Sequence, residues 1–249
     1  MFRLRNVSKR YGVHSALVDV TLDITAGLTT VLLGPSGCGK TTLLKLLLGM
    51  VQPDAGTISF DGATLPTQHI DAVRRRIGYV IQQGGLFPHL SATRNVTLLA
   101  EHLRWPRQRI ATRLAELAAI TRLPIDALDR YPRELSGGQN QRVALMRGLF
   151  MNPDALLLDE PLGGLDPMVR HELQQDLREI FSTLGKTVVL VTHDLAEAAH
   201  FAHRIALLRA GRVVQVGTLE NFLSAPADPF VSQFIRAQSG PFTPATSGP

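Results

Sequence analysis

Residues 34–42 read GPSGCGKTT, a glycine-rich motif that indicates the class of fold. It fits the pattern GxxxxGKS/T, it follows an apolar run at residues 28–33, and it precedes a second apolar run, LLKLLLG. Glycines allow the backbone N–H groups of a loop to wrap around phosphates, a lysine reaches the β- and γ-phosphate oxygens, and the next hydroxyl binds Mg²⁺. The strand before it and the helix after it favour a phosphate-binding loop over a glycine-rich helix cap. The candidate phosphate-binding residues are Gly34, Pro35, Ser36, Gly37, Cys38, Gly39, Lys40, Thr41 and Thr42.

A further apolar run lies at residues 155–158 and is followed directly by two carboxylates, so residues 155–160 read ALLLDE. Read alone, such a pair is as typical of a solvated strand end or a helix start as of a catalytic site. Beside a phosphate-binding loop it indicates phosphoryl chemistry. We therefore expect Asp159, together with Thr41, to hold Mg²⁺, and Glu160 to orient and deprotonate an attacking water.

Hydrophobic periodicity predicts an α/β chain. Residues 18–24 alternate between apolar and polar, and an Asp61-Gly62 turn pair follows residues 57–60, so the first 60 residues indicate short β elements in an antiparallel flap. A complete helix is predicted from an Asp166 N-cap to Gly185, whereas residues 84–150 show helical spacing and no strand. Apolar runs without alternation, typical of buried parallel strands, lie at residues 28–33, 155–158, 187–191 and 205–208.

Composition excludes several classes of protein. The 249 residues are 45% hydrophobic and 19% charged, which is ordinary for a globular chain, and no apolar run approaches the roughly 20 residues of a transmembrane helix. The first residues lack the apolar core of a signal peptide, so we expect a location inside the cell. One cysteine, Cys38, rules out an internal disulfide. The net charge of +5 comes without interleaved aromatic residues, so no nucleic-acid partner is expected.

The pentapeptide LSGGQ at residues 135–139 separates the possible phosphate-loop proteins. Ser136, Gly137, Gly138 and Gln139 open a helix whose N-terminus could receive a γ-phosphate. An isolated SGG is more typical of a plain N-capped helix. A second phosphate-binding helix end is useful, however, when the site is built between two chains.

With these motifs in this order, the sequence resembles the nucleotide-binding subunits of ABC transporters over nearly its whole length. The resemblance implies a P-loop NTPase with a RecA-like core at about residues 1–83 and 151–238, an N-terminal antiparallel β subdomain, and an inserted α-helical subdomain at about 84–150. The tail, residues 239–249, is rich in Pro, Gly, Ser and Thr and is expected to be disordered. The resemblance also implies ATP and Mg²⁺ as cofactors.

Several site residues follow from the resemblance alone. Tyr11 stacks on adenine, Gln82 touches Mg²⁺ and the attacking water, and His193 contacts the γ-phosphate as a catalytic residue. Ser136 and Gly138 contact the ATP of a partner subunit, and Asp166 lies in the loop that follows the carboxylate pair. The remaining histidines are interpreted as structural: His14, His69, His89, His102, His171, His200 and His203.

Three positions depart from the pattern of that family. Asn140 stands where Gln is more usual, Gly164 where Ala is usual, and Arg94 where an acidic residue is usual. None of the three removes a catalytic group. Arg94 lies in the segment expected to face a membrane partner, so it bears on that partner and not on hydrolysis.

The same resemblance implies the assembly. A second copy would complete an ATP-sandwich dimer, transmembrane permease subunits would dock near an apolar stretch, and an extracytoplasmic substrate-binding protein would belong to the system. The chain is therefore expected at the cytoplasmic face of the inner membrane, as a peripheral subunit. The docking stretch comprises Leu86, Phe87, Pro88 and Leu90.

The substrate is expected from resemblance alone. Residues 74–90, residues 159–167 and the ending GTLENFLSAPADPFVSQFI look most like importers of quaternary amines, namely glycine betaine, choline and carnitine. Some relatives there carry a regulatory CBS pair after the ATPase domain, which we do not expect in these 249 residues. Importers of polar amino acids or phosphonates remain the alternative.

Two readings from other classes remain open. An ABC protein of translation or DNA repair would act on nucleic acid, but such chains carry two ATPase units or a long coiled coil, and neither a repeat nor heptads are present. A P-loop kinase would phosphorylate an acceptor, and LSGGQ argues against it.

Overall fold

The computed structural model describes residues 1–66, 68, 70–82 and 84–239. The expectation of disorder at 239–249 falls, from residue 240 onward, outside the described residues, as does the role of His69. The strands are β1 Phe2–Tyr11, β2 His14–Ile24, β3 Thr29–Leu33, β4 Ala55–Phe60, β5 Ala63–Thr64, β6 Ile77–Val80, β7 Ala155–Asp159, β8 Thr187–Thr192, β9 Arg204–Arg209 and β10 Arg212–Gly217. The helices are α1 Lys40–Leu47, α2 Asp71–Arg74, α3 Ala92–His102, α4 Arg107–Ile120, α5 Gly137–Leu149, α6 Pro167–Leu184, α7 Leu195–Phe201, α8 Leu219–Ser224 and α9 Pro229–Ser239, with 3-10 turns at Ile125–Asp129 and Pro132–Glu134.

A six-stranded sheet in the order β10-β9-β3-β8-β7-β6 forms the centre of the molecule. All its neighbouring pairs are parallel except β9 with β10. The residues of β3, β7 and β8 are all buried, which confirms the interpretation of their unalternating apolar runs. Because these parallel strands end at one edge, the loops that follow β3, β7 and β8 meet there.

The second sheet is antiparallel, in the order β2-β1-β4-β5. Strand β2 shows the predicted alternation of burial, and the predicted Asp61-Gly62 turn joins β4 to β5 with φ values of 55° and 86°. The expectation of short elements was wrong for β1 and β2, which have 10 and 11 residues. The sequence of β1 shows no continuous alternation because register shifts follow Leu4 and Val7.

The central sheet has an apolar core on each face. Side chains of β3 such as Leu32 pack with α1 and the antiparallel sheet, whereas Val31 and Leu33 pack with the helices on the other side. The opposite directions of these side chains follow from the pleat of the strand. The core on the helical side includes residues of α3, α4 and α5.

Between β6 and β7 the described residues form helices and turns only. They occupy the stretch that the sequence assigns to an inserted helical subdomain, and the subdomain boundaries remain a prediction. Gly78 of β6 lies against α5 so closely that a Cβ would stand 2.3 Å from Gly148 O. This contact fixes α5 on the sheet.

Helix α6 begins and ends as predicted. The Asp166 side chain accepts a hydrogen bond from Met168 N at 2.9 Å, Pro167 is its first residue, and Gly185 ends it with φ 57°. None of the helices in the described ranges is long and apolar enough to cross a membrane.

Candidate functional site

The glycine-rich loop joins the end of β3 to the start of α1. Gly34 has φ 149° and a Cβ there would lie 2.3 Å from Leu208 O, while Gly39 has φ 109° and a Cβ there would lie 2.5 Å from Ala16 O. Both positions therefore exclude any other residue type. The loop leads directly into the first N–H groups of α1, and no side chain caps them. Such a helix end binds anions.

Lys40 is the first residue of α1, and its side chain lies inside the loop with 5% of its surface exposed. Its Nζ donates hydrogen bonds to Gly34 O at 2.6 Å and to Pro35 O at 3.0 Å. Burial raises the pKa of the neighbouring Cys38 thiol, which therefore stays protonated and acts in packing. The lysine thus presents a positive charge where phosphates would enter.

Asp159, the last residue of β7, is buried beside this loop. Thr41 Oγ1 donates a hydrogen bond to Asp159 Oδ1 at 3.2 Å. Burial raises the Asp159 pKa, and the Glu160 carboxylate acts in the same direction, while the Thr41 hydrogen bond and the charges of Lys40 and Lys45 oppose this rise. Burial, with the nearby Asp159, also raises the Tyr79 pKa to about 12. Asp159 is therefore a carboxylate short of counter-charge, which favours binding of a cation.

Glu160 turns the chain sharply after β7. Its φ of 46° is left-handed, and its N–H donates to Val191 O at 3.1 Å, so its side chain leaves the strand direction. Gln82 Nε2 donates to Glu160 Oε2 at 3.2 Å, and His193 Nδ1 lies 3.5 Å from Glu160 Oε1. The structure therefore brings together the three residues expected to be catalytic.

One cavity of about 380 Å³ is lined by Lys40, Gln82 and Glu160, whereas Asp159 and His193 are not among its lining residues. Tyr11, half-exposed at the end of β1, forms one wall, and Lys9 Nζ lies 5.7 Å from the centroid of its ring. His14, which the sequence reading treated as structural, also lines the cavity because it pairs with Tyr11 across the hairpin. The position of His14 in the cavity follows from this pairing alone, because His14 belongs to none of the sequence motifs. The lining residues are Tyr11, His14, Ala16, Ser36, Gly37, Gly39, Lys40, Thr41, Thr42, Gln82 and Glu160.

The LSGGQ residues do not line this cavity. Ser136 is exposed at the N-terminus of α5, where its Oγ accepts from Gln139 N at 3.2 Å and its own N–H donates to Gln139 Oε1 at 3.0 Å. This is a reciprocal capping box. The two glycines face the start of α6, since Cβ atoms on Gly137 and Gly138 would lie 3.0 Å from Leu165 and 2.9 Å from Val169. Asp166 caps α6 on the same side of the molecule.

The structure explains two of the three departures from the family pattern and shows where the third residue lies. Asn140 Nδ2 donates to Pro132 O at 3.0 Å and to Leu135 O at 3.2 Å, so it holds the turn that leads into Ser136. Gly164 has φ 74°, a conformation that alanine adopts only with strain. Arg94 is exposed, 3.9 Å from Glu101 Oε2.

The oxygen donors around Asp159 fit Mg²⁺. Thr41 Oγ1 and Asp159 Oδ1 are adjacent, and the Gln82 amide lies on the same cavity. Over the described ranges, no group of three or more His, Cys, Asp or Glu side chains forms a metal site. A set of few protein oxygens is what Mg²⁺ uses when phosphates and waters complete its shell.

The comparison with protein families gives one match, to the model described as ABC transporter, over residues 17–163. The choline transport ATP-binding protein OpuBA of Bacillus subtilis (strain 168) is 46% identical over 236 residues, which are 94% of this chain and 62% of that protein. The glycine betaine uptake system ATP-binding protein YehX of Escherichia coli (strain K12) is 43% identical over 241 residues, covering 96% of this chain and 78% of that protein. The chain thus spans somewhat less than two thirds of the first of these relatives.

Solved structures give the same fold. The dimeric post-hydrolysis state of the ATP-binding cassette MJ0796, bound to ADP and Pi, superposes with a TM-score of 0.79 at 35% identity, over 88% of this chain and 99% of that one. The structure of cbiO1 from Clostridium perfringens, part of the transporter complex cbiONQ, gives 0.83 at 30% identity, over 90% of each chain. The fold is therefore the α/β P-loop NTPase fold of ATP-binding cassettes, as the sequence predicts.

Proposed function

The chain belongs to the ABC transporter family, and on that premise we propose that it binds and hydrolyses ATP to energise import of a small solute through separate membrane subunits. The observation that carries the proposal is the division of the site. One cavity gathers Lys40, Gln82 and Glu160 beside the Thr41–Asp159 contact, while the exposed Ser136 helix end stays outside it. A second copy would bring that helix end to the open side of the cavity.

In the proposed reaction, a water oxygen attacks the γ-phosphorus of ATP, the bond to the ADP oxygen breaks, and the water proton passes to Glu160. Glu160 is suited to this role because Gln82 and His193 hold its two oxygens. Lys40 stabilises charge on the β- and γ-phosphate oxygens. Mg²⁺, held through Thr41 and Asp159, supplies further neutralisation of phosphate charge when bound.

Self-association completes the proposed site. The solved cassette bound to ADP and Pi is dimeric. In our proposal the partner's Ser136 and Gly138 N–H groups meet the γ-phosphate, and Asp166, at the start of α6, lies at the same interface. Loss of the γ-phosphate removes the charge that holds the two copies together.

A groove on the helical side supports the proposed docking of permease subunits. Leu98, Leu99 and Arg147 line this groove, and the Arg147 guanidinium lies 6.0 Å from the centroid of the nearby Phe87 ring. Phe87, Leu98 and Leu99 are each more than a third exposed. Arg147 donates to Gly84 O at 2.8 Å and to Gly85 O at 2.9 Å, so the segment after Gln82 is tied to α5 at this groove. Movement of a docked helix can therefore reach Gln82. The cytoplasmic face of the inner membrane is the location that this docking requires.

The transported solute is proposed to be a quaternary amine, since the first relatives are named for choline, glycine betaine and carnitine transport. A relative of Chromobacterium violaceum named for spermidine/putrescine import is 42% identical, so the choice rests on order of similarity. An extracytoplasmic substrate-binding protein belongs to the same proposal. The proposed substrate is tested by measuring uptake of labelled glycine betaine in cells with and without this chain. Equal uptake in both would contradict a quaternary amine and favour polar amino acids or phosphonates.

The decisive test of the activity is phosphate release from Mg-ATP by the purified chain. Our proposal predicts release without any phosphorylated acceptor. Transfer of label to an acceptor would instead identify a kinase, and hydrolysis that depends on added nucleic acid would identify a nucleic-acid machine.

A further inference from the structure

The backbone of His193 is held by a residue far along the chain. His193 follows β8, and its carbonyl oxygen accepts a hydrogen bond from Gln238 Nε2 at 3.0 Å, although 45 residues separate the two. Its ring lies 3.5 Å from the Glu160 carboxylate. Gln238 therefore contacts the one loop that carries the histidine into the site.

The position of Gln238 is set by buried packing. Val231 and Phe234 anchor α9 in the core, and Arg209 lies 4.3 Å from the centroid of the Phe230 ring. Gln238 lies four residues after Phe234 and seven after Val231, so it continues the same face of the helix. The helix thus delivers the amide to the histidine loop in a fixed register.

The opposite side of the loop is held by buried groups. Thr192 Oγ1 donates to Glu197 Oε2 at 2.6 Å and accepts from Asp194 N at 3.0 Å, and both Thr192 and Glu197 are buried. These bonds fix the residues on either side of His193. The carbonyl of His193 points away from them to the exposed Gln238, which therefore holds the outer side of the loop.

We propose that Gln238 is a positioning residue for His193: by donating to the His193 carbonyl it sets the peptide plane from which the imidazole reaches the γ-phosphate. The inference rests on the proposed function and adds α9 to the elements that control the site. A displacement at the end of α9 would reach the histidine through this one bond.

The test compares Gln238→Met, which keeps size and removes the donor, with Gln233→Met, an exposed residue of the same helix. The kcat of Gln238→Met should fall about fivefold, which corresponds to about 1 kcal/mol of lost transition-state stabilisation, while KM for ATP stays unchanged. Gln233→Met should match the unmodified chain. Gln238→Lys restores a donor and should recover at least half of the lost rate.

Two results would overturn the assignment. One is a kcat of Gln238→Met within the error of Gln233→Met, and the other is a loss that Gln238→Lys does not repair. If the unmodified chain hydrolyses ATP, either result refutes the role of Gln238 and leaves the proposed function intact. If the unmodified chain does not hydrolyse ATP, the proposed function itself fails.

Discussion

Glu160 and His193 stand at the ends of the adjacent parallel strands β7 and β8, with 3.5 Å between Glu160 Oε1 and His193 Nδ1. The other oxygen of Glu160 accepts from Gln82 at 3.2 Å. The carboxylate therefore has a hydrogen-bond donor at one oxygen and an imidazole close to the other, and these two neighbours favour one orientation. A general base must be fixed in this way to act on one water.

Glu160→Gln should bind ATP normally and lose turnover by about 10²- to 10⁴-fold, because the amide cannot accept the proton while the phosphate loop is unchanged. Size-exclusion chromatography with Mg-ATP should show a stable dimer. Glu220→Gln, on the exposed side of α8, is the matched control and should hydrolyse ATP normally. A Glu160→Gln variant that stays monomeric and turns over at the normal rate would remove Glu160 from the mechanism.

Lys40→Ala should weaken ATP binding by roughly tenfold or more, since it removes a buried positive charge from the β- and γ-phosphates. Lys45→Ala changes an exposed lysine of the same helix and should leave affinity almost intact. Calorimetric titration with ATP measures both. Equal affinities for the two variants would show that Lys40 has only a packing role.

Asp159→Asn should raise the Tm of the nucleotide-free chain by roughly 2–4 °C at neutral pH, because it replaces a buried charge with a neutral group of the same shape. Burial raises the Asp159 pKa, so the folded state of the unmodified chain loses stability as pH rises above the ordinary pKa of aspartate. The difference in Tm between Asp159→Asn and the unmodified chain should therefore vanish near pH 3 and grow toward neutral pH. Thermal denaturation across that range measures it, and a variant less stable at neutral pH would contradict the prediction.

The same variant should lose the extra stabilisation that Mg-ATP gives over ATP alone. A retained Mg²⁺-dependent shift in Tm would exclude Asp159 as a metal ligand.

The sequence predicts the centre of the fold because its signals there are local. The loop at Lys40 lies between two mostly apolar runs, and α6 carries its own start signal at Asp166 and its own end signal at Gly185. The burial of β3 on both faces can be predicted from its own residues, because a run without polar alternation is typical of a strand covered on both sides.

Other features depend on residues that meet only in the folded chain. The register shifts of β1 remove its period-2 pattern, so its sequence does not predict a long strand. His14 enters the cavity through its pairing with Tyr11, and Gln238 reaches His193 across 45 residues through a single bond. The hydrogen bonds from Asn140 to the preceding turn likewise cannot be predicted from the motif LSGGQ.

Mixing Ser136→Arg and Lys40→Ala in equal amounts should restore activity. Ser136→Arg damages the helix end that one chain lends, and Lys40→Ala damages the phosphate loop that the other supplies. In a mixed dimer one composite site carries both defects and the other carries none. Random pairing makes half of the dimers mixed, so roughly a quarter of the normal phosphate release should return when each site works alone.

The phosphate-release rate of Ser136→Arg tests whether the site is built from two chains. The substitution places a bulky cation where the partner's γ-phosphate should bind, so hydrolysis should cease while ATP affinity at the chain's own loop stays normal. Ser136→Ala, which removes the cap at a cost of about 1 kcal/mol without adding bulk, should keep a larger part of the rate. If Ser136→Arg instead hydrolyses ATP like the unmodified chain, LSGGQ is only a capped helix here and the two-chain site does not exist.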